Sequence, residues 1–237
     1  MRKVAIGCLL LAAAGIASAT PTYEIIATGN TTTGDAVKAE ADFTFSTNML
    51  TLTLTNLLVN PSGVSQNITD FSFTVASATS GGTLVSASAP QSINVASDGS
   101  FTFAGPVNPV RWSFTPSAGG VFALEGLGVP GAPANSIIGA PNSSNIYSNA
   151  GGSIAGNGPH NPFIYESATW VFDITGVSST TTPTNIIFSF GTQAGTDEFF
   201  CNSGGCSAPE PGSWLLLGTG LAGLAFFTWK SSRKRTA

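Results

Sequence analysis

Seven short stretches of this 237-residue chain alternate large apolar side chains with mostly small polar ones. They are Phe43-Thr44-Phe45, Leu50 to Thr55, Phe71-Ser72-Phe73-Thr74-Val75, Phe101-Thr102-Phe103, Trp112-Ser113-Phe114, Trp170-Val171-Phe172-Asp173-Ile174 and Phe188-Ser189-Phe190. Successive side chains of a strand point to opposite faces, so each stretch places its Phe, Leu or Trp on a buried face and its Thr or Ser on a wet one. Antiparallel sheets with one solvated side carry this pattern. Turn signals fall between the stretches at Asn60-Pro61-Ser62-Gly63, Gly81-Gly82, Ser97-Asp98-Gly99-Ser100 and Ala118-Gly119-Gly120. Asp98-Gly99, between Ile93-Asn94-Val95 and Phe101-Thr102-Phe103, predicts a hairpin with a primed turn, because such turns need the positive φ that glycine tolerates. Helical periodicity is confined to the two ends. Regular short strands and turns predict an all-β fold, an antiparallel β-sandwich of jelly-roll type, with Trp112 and Trp170 in its core beside Phe114 and Phe172.

One stretch breaks the rhythm. Of the 37 residues from Gly126 to Pro162, 13 are Gly or Pro, too many for continuous strands, which predicts a long excursion over the sandwich. Tyr147, His160 and Tyr165 lie in or beside it and form the candidate ligand surface, since loop aromatics can stack on sugar rings. His160 is the single histidine of the chain. With no nucleophile elbow and no metal-ligand spacing around it, it reads as a loop anchor, and no catalytic residues, metal or cofactor are expected. Two acidic groups, Asp35 with Glu40 and Asp42, and Asp197 with Glu198, would offer oxygen ligands to calcium if the fold gathered them, but neither has EF-hand spacing and a solvated acidic edge is the simpler expectation.

Charge narrows the partners. Between Thr20 and Ala208 the bases are Lys38 and Arg111 against 11 acids, a net charge of 2 − 11 = −9. Nucleic-acid binding rests on Lys and Arg neutralising phosphates, so that class is excluded. Cys201 and Cys206 bracket Asn-Ser-Gly-Gly, and an even pair in an exported chain predicts a disulfide rather than a zinc site.

Both ends read as addresses. Arg2 and Lys3 precede an apolar run from Val4 to Ile16, and Ala17-Ser18-Ala19 is the small-residue pattern of signal peptidase, which predicts a mature start at Thr20. At the other end, Pro209-Glu210-Pro211 holds the chain extended ahead of an uncharged run from Gly212 to Trp229. As a helix that run would be roughly 27 Å long, close to the ~30 Å hydrocarbon core of a bilayer. Trp214 and Trp229 suit its two interfaces, and Lys230, Arg233, Lys234 and Arg235 hold the end in the cytoplasm. Gly218, Gly220, Ala222 and Gly223 leave one face smooth enough for a partner helix.

The three-part order of Pro209-Glu210-Pro211, the Leu215 to Leu224 run and the basic end resembles a PEP-CTERM sorting signal. The resemblance implies recognition by exosortase, a membrane transpeptidase-like enzyme, with cutting near Pro209 to Pro211, and a bacterial surface or extracellular-matrix protein. More loosely, the chain from His160 through Trp170 to Thr192 resembles ectodomains of exosortase-dependent surface proteins, a likeness that carries no active site across. The expected organisation is a signal peptide (1–19), a β-sandwich ectodomain (20–200), a Cys-bracketed linker (201–208) and a sorting tail (209–237) with one transmembrane helix (212–229) and a basic cytoplasmic end (230–237). The expected partners are signal peptidase, exosortase and, transiently, the membrane. The role is structural or adhesive and non-enzymatic. The alternatives are a carbohydrate-binding, lectin-like module on exopolysaccharide and, behind it, a surface hydrolase.

Overall fold

The computed structural model describes residues 22–79, 81–126, 135–155, 161–192 and 197–201. They are mostly strand, in this order: β1 (Thr22–Asn30), β2 (Ala36–Ser46), β3 (Met49–Asn56), β4 (Ile68–Thr74), β5 (Thr83–Val95), β6 (Phe101–Val107), β7 (Ser113–Ser117), β8 (Val121–Glu125), β9 (Ile137–Ile138), β10 (Phe163–Tyr165), β11 (Ser167–Asp173), β12 (Thr184–Phe190) and β13 (Asp197–Cys201). All seven alternating stretches fall on these strands, the Trp112 stretch entering β7 at its second residue and Val75 and Ile174 standing one position past β4 and β11. In β3 every second residue from Leu50 is buried while the intervening threonines are half-buried.

The strands run β1-β2-β3-β11-β5-β10-β9-β4-β12-β13 from edge to edge, with β6 attached to β5 and the β7–β8 pair attached to β4. The long strand β5 turns this line: its first half pairs with β11 and its second with β6 and β10, the β5–β6 register shifting between Ala89 and Ile93. An antiparallel sheet was expected, and here the structure differs. β9 and β10 are parallel, Ile137 opposite Ile164 and Ile138 opposite Tyr165, so the sheet is mixed. The two strands are separated by the Gly- and Pro-rich excursion, which is long enough to return the chain in the same direction, as a parallel pair demands.

Two apolar clusters result. The larger is built from aromatic rings on strands that share no ladder: Phe43 of β2 lies 5.3 Å from Phe73 and 6.0 Å from Phe71 of β4, and Phe114 of β7 lies 4.8 Å from Phe172 of β11. Trp112 and Trp170 pack in it at 5.1 Å, in the core as expected. The smaller cluster lies between the excursion and the second half of β5, where Ile138, Tyr147, Ala150 and Ile154 cover Ile93, Val95 and Phe163. Asn56, almost wholly buried, ties the two regions together: its amide donates to the carbonyls of Gln66 and Ile137, both at 2.9 Å, and accepts from the Leu58 amide.

The Asp98-Gly99 hairpin forms between β5 and β6 as expected, but its turn is not a primed two-residue turn. Gly99 donates to the Ala96 carbonyl, Ala96 donates to Ser100, and Gly99 alone takes a positive φ, 85°. That is a three-residue loop whose left-handed residue makes the bulge, with the Asp98 carboxylate accepting from the Ser100 amide and hydroxyl. The β2–β3 connection lacked a glycine to announce it. Asn48 closes it with φ of 57°, the conformation its short polar side chain tolerates.

Candidate functional site

Among the described residues no helix is long and apolar enough to cross a membrane. The apolar run at 212–229 lies outside them, as do Ala17, Ala19, His160, Cys206, Pro209, Glu210, Pro211, Trp214, Trp229, Lys230, Arg233, Lys234 and Arg235. The structure thus bears on the aromatic residues, the acidic groups and the base of the tail.

The candidate ligand surface divides. Tyr147 is 1% exposed, so its ring is closed to solvent, contrary to the expectation for a loop tyrosine. Its hydroxyl donates to the Gly139 carbonyl at 2.9 Å, and its amide donates to the Gly99 carbonyl at 3.0 Å, so it is the peg that fixes the excursion onto the β5–β6 hairpin. Burial holds its phenol far above the ordinary value. Tyr165 stays half-buried. It stacks on Phe101 at 6.1 Å and meets the edge of Phe103 at 5.6 Å, and burial together with the Glu166 carboxylate pushes its phenol up to about 12. Phe103, which the alternation predicts to be buried, is 60% exposed. β6 pairs with β5 alone, and among the described residues the smaller cluster packs against Phe101 while Phe103 meets only the rings of Phe101 and Tyr165.

The acidic residues gather differently from the sequence expectation. Glu24, Glu40 and Asp42 form a trio with one carboxylate oxygen of each within 4.8 Å of the others. Register brings them together: Glu24 of β1 lies opposite Asp42, and Ile26 lies opposite Glu40. Burial, reinforced by Asp42 and Glu24, raises the Glu40 carboxyl above its ordinary 4.5, with Lys38 pulling the other way. Asp42 rises above 3.8 by burial and the Glu24 charge. Glu24 escaped the sequence reading because β1, Tyr-Glu-Ile-Ile-Ala, does not alternate and its pairing with β2 is a tertiary fact. Asp35 stays apart, accepting from the Thr33 and Ser65 hydroxyls. Asp197 accepts from the Thr32 amide at 2.7 Å.

The chain leaves the described fold through β13. Phe199 packs edge-on against Phe190 at 5.3 Å and stands over Gly29 of β1, where any added Cβ would meet its ring. Cys201, the last described residue, is 7% exposed and disulfide-bonded. A fully paired strand and a covalent staple therefore close the β domain a few residues ahead of Pro209.

These features define a class: an acidic all-β domain finished by a stapled strand and followed at once by a sorting tail. The family model of the PEP-CTERM protein-sorting motif matches residues 207–234. The motif supports an exported surface protein that is sorted and processed by exosortase and associates with the membrane. No curated protein and no solved structure matches the chain.

Proposed function

We propose that this chain is a non-enzymatic surface or extracellular-matrix protein whose β domain, a two-layer sandwich of jelly-roll type, is exported by residues 1–19, held by the helix 212–229 and cut by exosortase at Pro209 to Pro211. The role of the sandwich is structural or adhesive. The observation that carries this reading is the sorting motif at 207–234, a short step after the last strand ends at Cys201. A protease-like enzyme acting at the membrane needs an extended, accessible segment between the anchor and the folded cargo, and the two prolines of Pro209-Glu210-Pro211, which lack backbone donors, disfavour a helix interior or a central ladder there. Phe43 against Phe71 and Phe73, and Trp112 against Trp170, support the two-layer packing, because facing inner sides about 10 Å apart interdigitate in this way. A fusion of residues 1–201 to a reporter active only outside the cytoplasm tests export. Activity supports the reading, and reporter protein confined to the cytosol with residues 1–19 still attached contradicts it.

A second reading, a lectin-like module on exopolysaccharide, is favoured by the exposed Phe103 ring beside Tyr165. Aromatic faces at a sheet edge can receive the C–H face of a sugar. Glycan-array binding lost in Phe103→Ala and Tyr165→Ala, with unchanged melting, would support it. Binding retained in both variants would remove the patch from consideration.

A further inference from the structure

Arg111 is one of the two bases between Thr20 and Ala208, and the structure sets it apart from the acids. The alternation continues through its neighbours: Val110 and Trp112 are 3% and 4% exposed, so Arg111 between them faces outward. It lines a depression of about 380 Å³ with Asn108, Asn135, Pro106, Pro109 and Pro162, and among the described residues no carboxylate lies on its wall. Among the described residues, neither the guanidinium nor the Asn108 and Asn135 amides has a side-chain partner. Each wall is pinned from behind. The Val110 amide donates to Ala87 at 3.0 Å, and the Trp112 indole donates to the Asn135 carbonyl at 2.9 Å, fixing the Arg111 segment and Asn135 to one another. Asn161 grips β5 with both ends of its amide, accepting from the Val95 N–H at 3.0 Å and donating to its carbonyl at 2.9 Å, which sets Pro162.

We propose that this depression binds a carboxylated sugar residue, a uronate. A guanidinium fork matches a carboxylate with two parallel hydrogen bonds. One cation in a domain of net charge −9 compensates a monoanion but not a phosphate dianion. The two free amides each bring a donor and an acceptor suited to sugar hydroxyls, and the three prolines offer aliphatic surface without competing donors. The volume falls within the roughly 300–1,000 Å³ of small-molecule sites. Pinned walls keep the ordering cost of binding low. This site concerns the β domain alone and stands whichever way the tail is processed.

Calorimetric titration of the full chain in mild detergent tests it, with D-glucuronate, D-glucose, acetate and inorganic phosphate as probes. Saturable glucuronate binding, about tenfold tighter than glucose or acetate and weakened by salt, is the expected result. Arg111→Ala should weaken it by about tenfold, and Arg111→Lys, which keeps the charge but not the fork, by less. Both side chains are exposed at this position, so an unchanged melting temperature certifies the fold. A glucuronate oligomer binding more tightly than the monomer identifies a polymer as the source, and equal affinity a free sugar, with Arg111 required in either case. The proposal is overturned by glucose or phosphate matching glucuronate, by Arg111→Ala with unaltered affinity, or by no binding at tens of millimolar.

Discussion

Phe43-Thr44-Phe45 and Phe101-Thr102-Phe103 are the same triplet, yet the fold treats them in opposite ways, and alanine substitution should expose the difference. Phe43 is completely buried, with ring centroids 5.3 Å from Phe73, 6.0 Å from Phe71, 6.1 Å from Phe45 and 6.3 Å from Tyr23. Removing it deletes about 150–200 Å² of buried apolar surface, roughly 4–5 kcal/mol at 25 cal/mol per Å². Measured Phe→Ala losses in cores of about 3–5 kcal/mol agree. Phe103 keeps 60% of its surface in water, so the same arithmetic caps its loss at about 2 kcal/mol. At about 2–4 °C per kcal/mol for a domain of this size, Phe43→Ala should lower the melting temperature by about 8–20 °C, and Phe103→Ala by less than half as much at the same conversion, no more than about 8 °C. Thermal unfolding of the full chain followed by tryptophan fluorescence reads both, since Trp112 and Trp170 lie in the cluster that Phe43 helps to build. Equal shifts, or a larger one for Phe103→Ala, would refute the assignment of Phe43 to the contact between unpaired strands.

Three further outcomes follow from the same physics. Because the Glu40 and Asp42 carboxyls are raised from 4.5 and 3.8, the folded chain holds protons there that the unfolded chain releases. These groups therefore cost stability as pH climbs through the raised values, and the cost is fully present at neutral pH. Glu40→Gln should raise the melting temperature at pH 7, by about 1–4 °C for a cross-strand repulsion of about 0.5–1 kcal/mol, with the gain vanishing below about pH 4. Melting curves from pH 3.5 to 7.5 check this, and a gain independent of pH would contradict it. Gly99→Ala forces a side chain into a φ of 85° and against the Tyr147 carbonyl. Beyond the roughly 1–2 kcal/mol of the left-handed conformation, it should loosen the excursion, seen as faster proteolysis within residues 139–155 while the tryptophan signal of the larger cluster persists. Asn56→Ala strands the Gln66 and Ile137 carbonyls and the Leu58 amide, and should cost about 2–4 kcal/mol in urea unfolding.

Strand positions were legible in this sequence because period two is a local property, and Leu50 to Thr55 states it without ambiguity. What lay beyond reach was everything decided by a partner. The two Phe-Thr-Phe triplets are indistinguishable until the sheet gives β2 a facing layer and leaves β6 at an edge. The parallel pairing of β9 with β10 depends on how a Gly- and Pro-rich excursion returns, which no residue in it announces. Tyr147 read as a surface aromatic because its surroundings are polar and loop-like, and only the Gly99 contact shows that the excursion closes over it. The acidic trio needed the β1–β2 register to recruit Glu24. Arg111 entered the sequence reading only as one of two bases, and the pocket around it was not legible, since it is assembled from three separate segments of the chain. The tail was the reverse case, a linear code read by another protein and therefore complete in its own residues.

The central claim is that residues 207–234 act as a sorting signal that exosortase removes from the exported β domain. Mass spectrometry of the mature protein from its native cells, with and without exosortase, tests it most directly. The account predicts a chain beginning at Thr20 and ending near Pro209 to Pro211 when exosortase is present, and one extending to Ala237 when it is deleted. A C-terminus at Ala237 in both would contradict it.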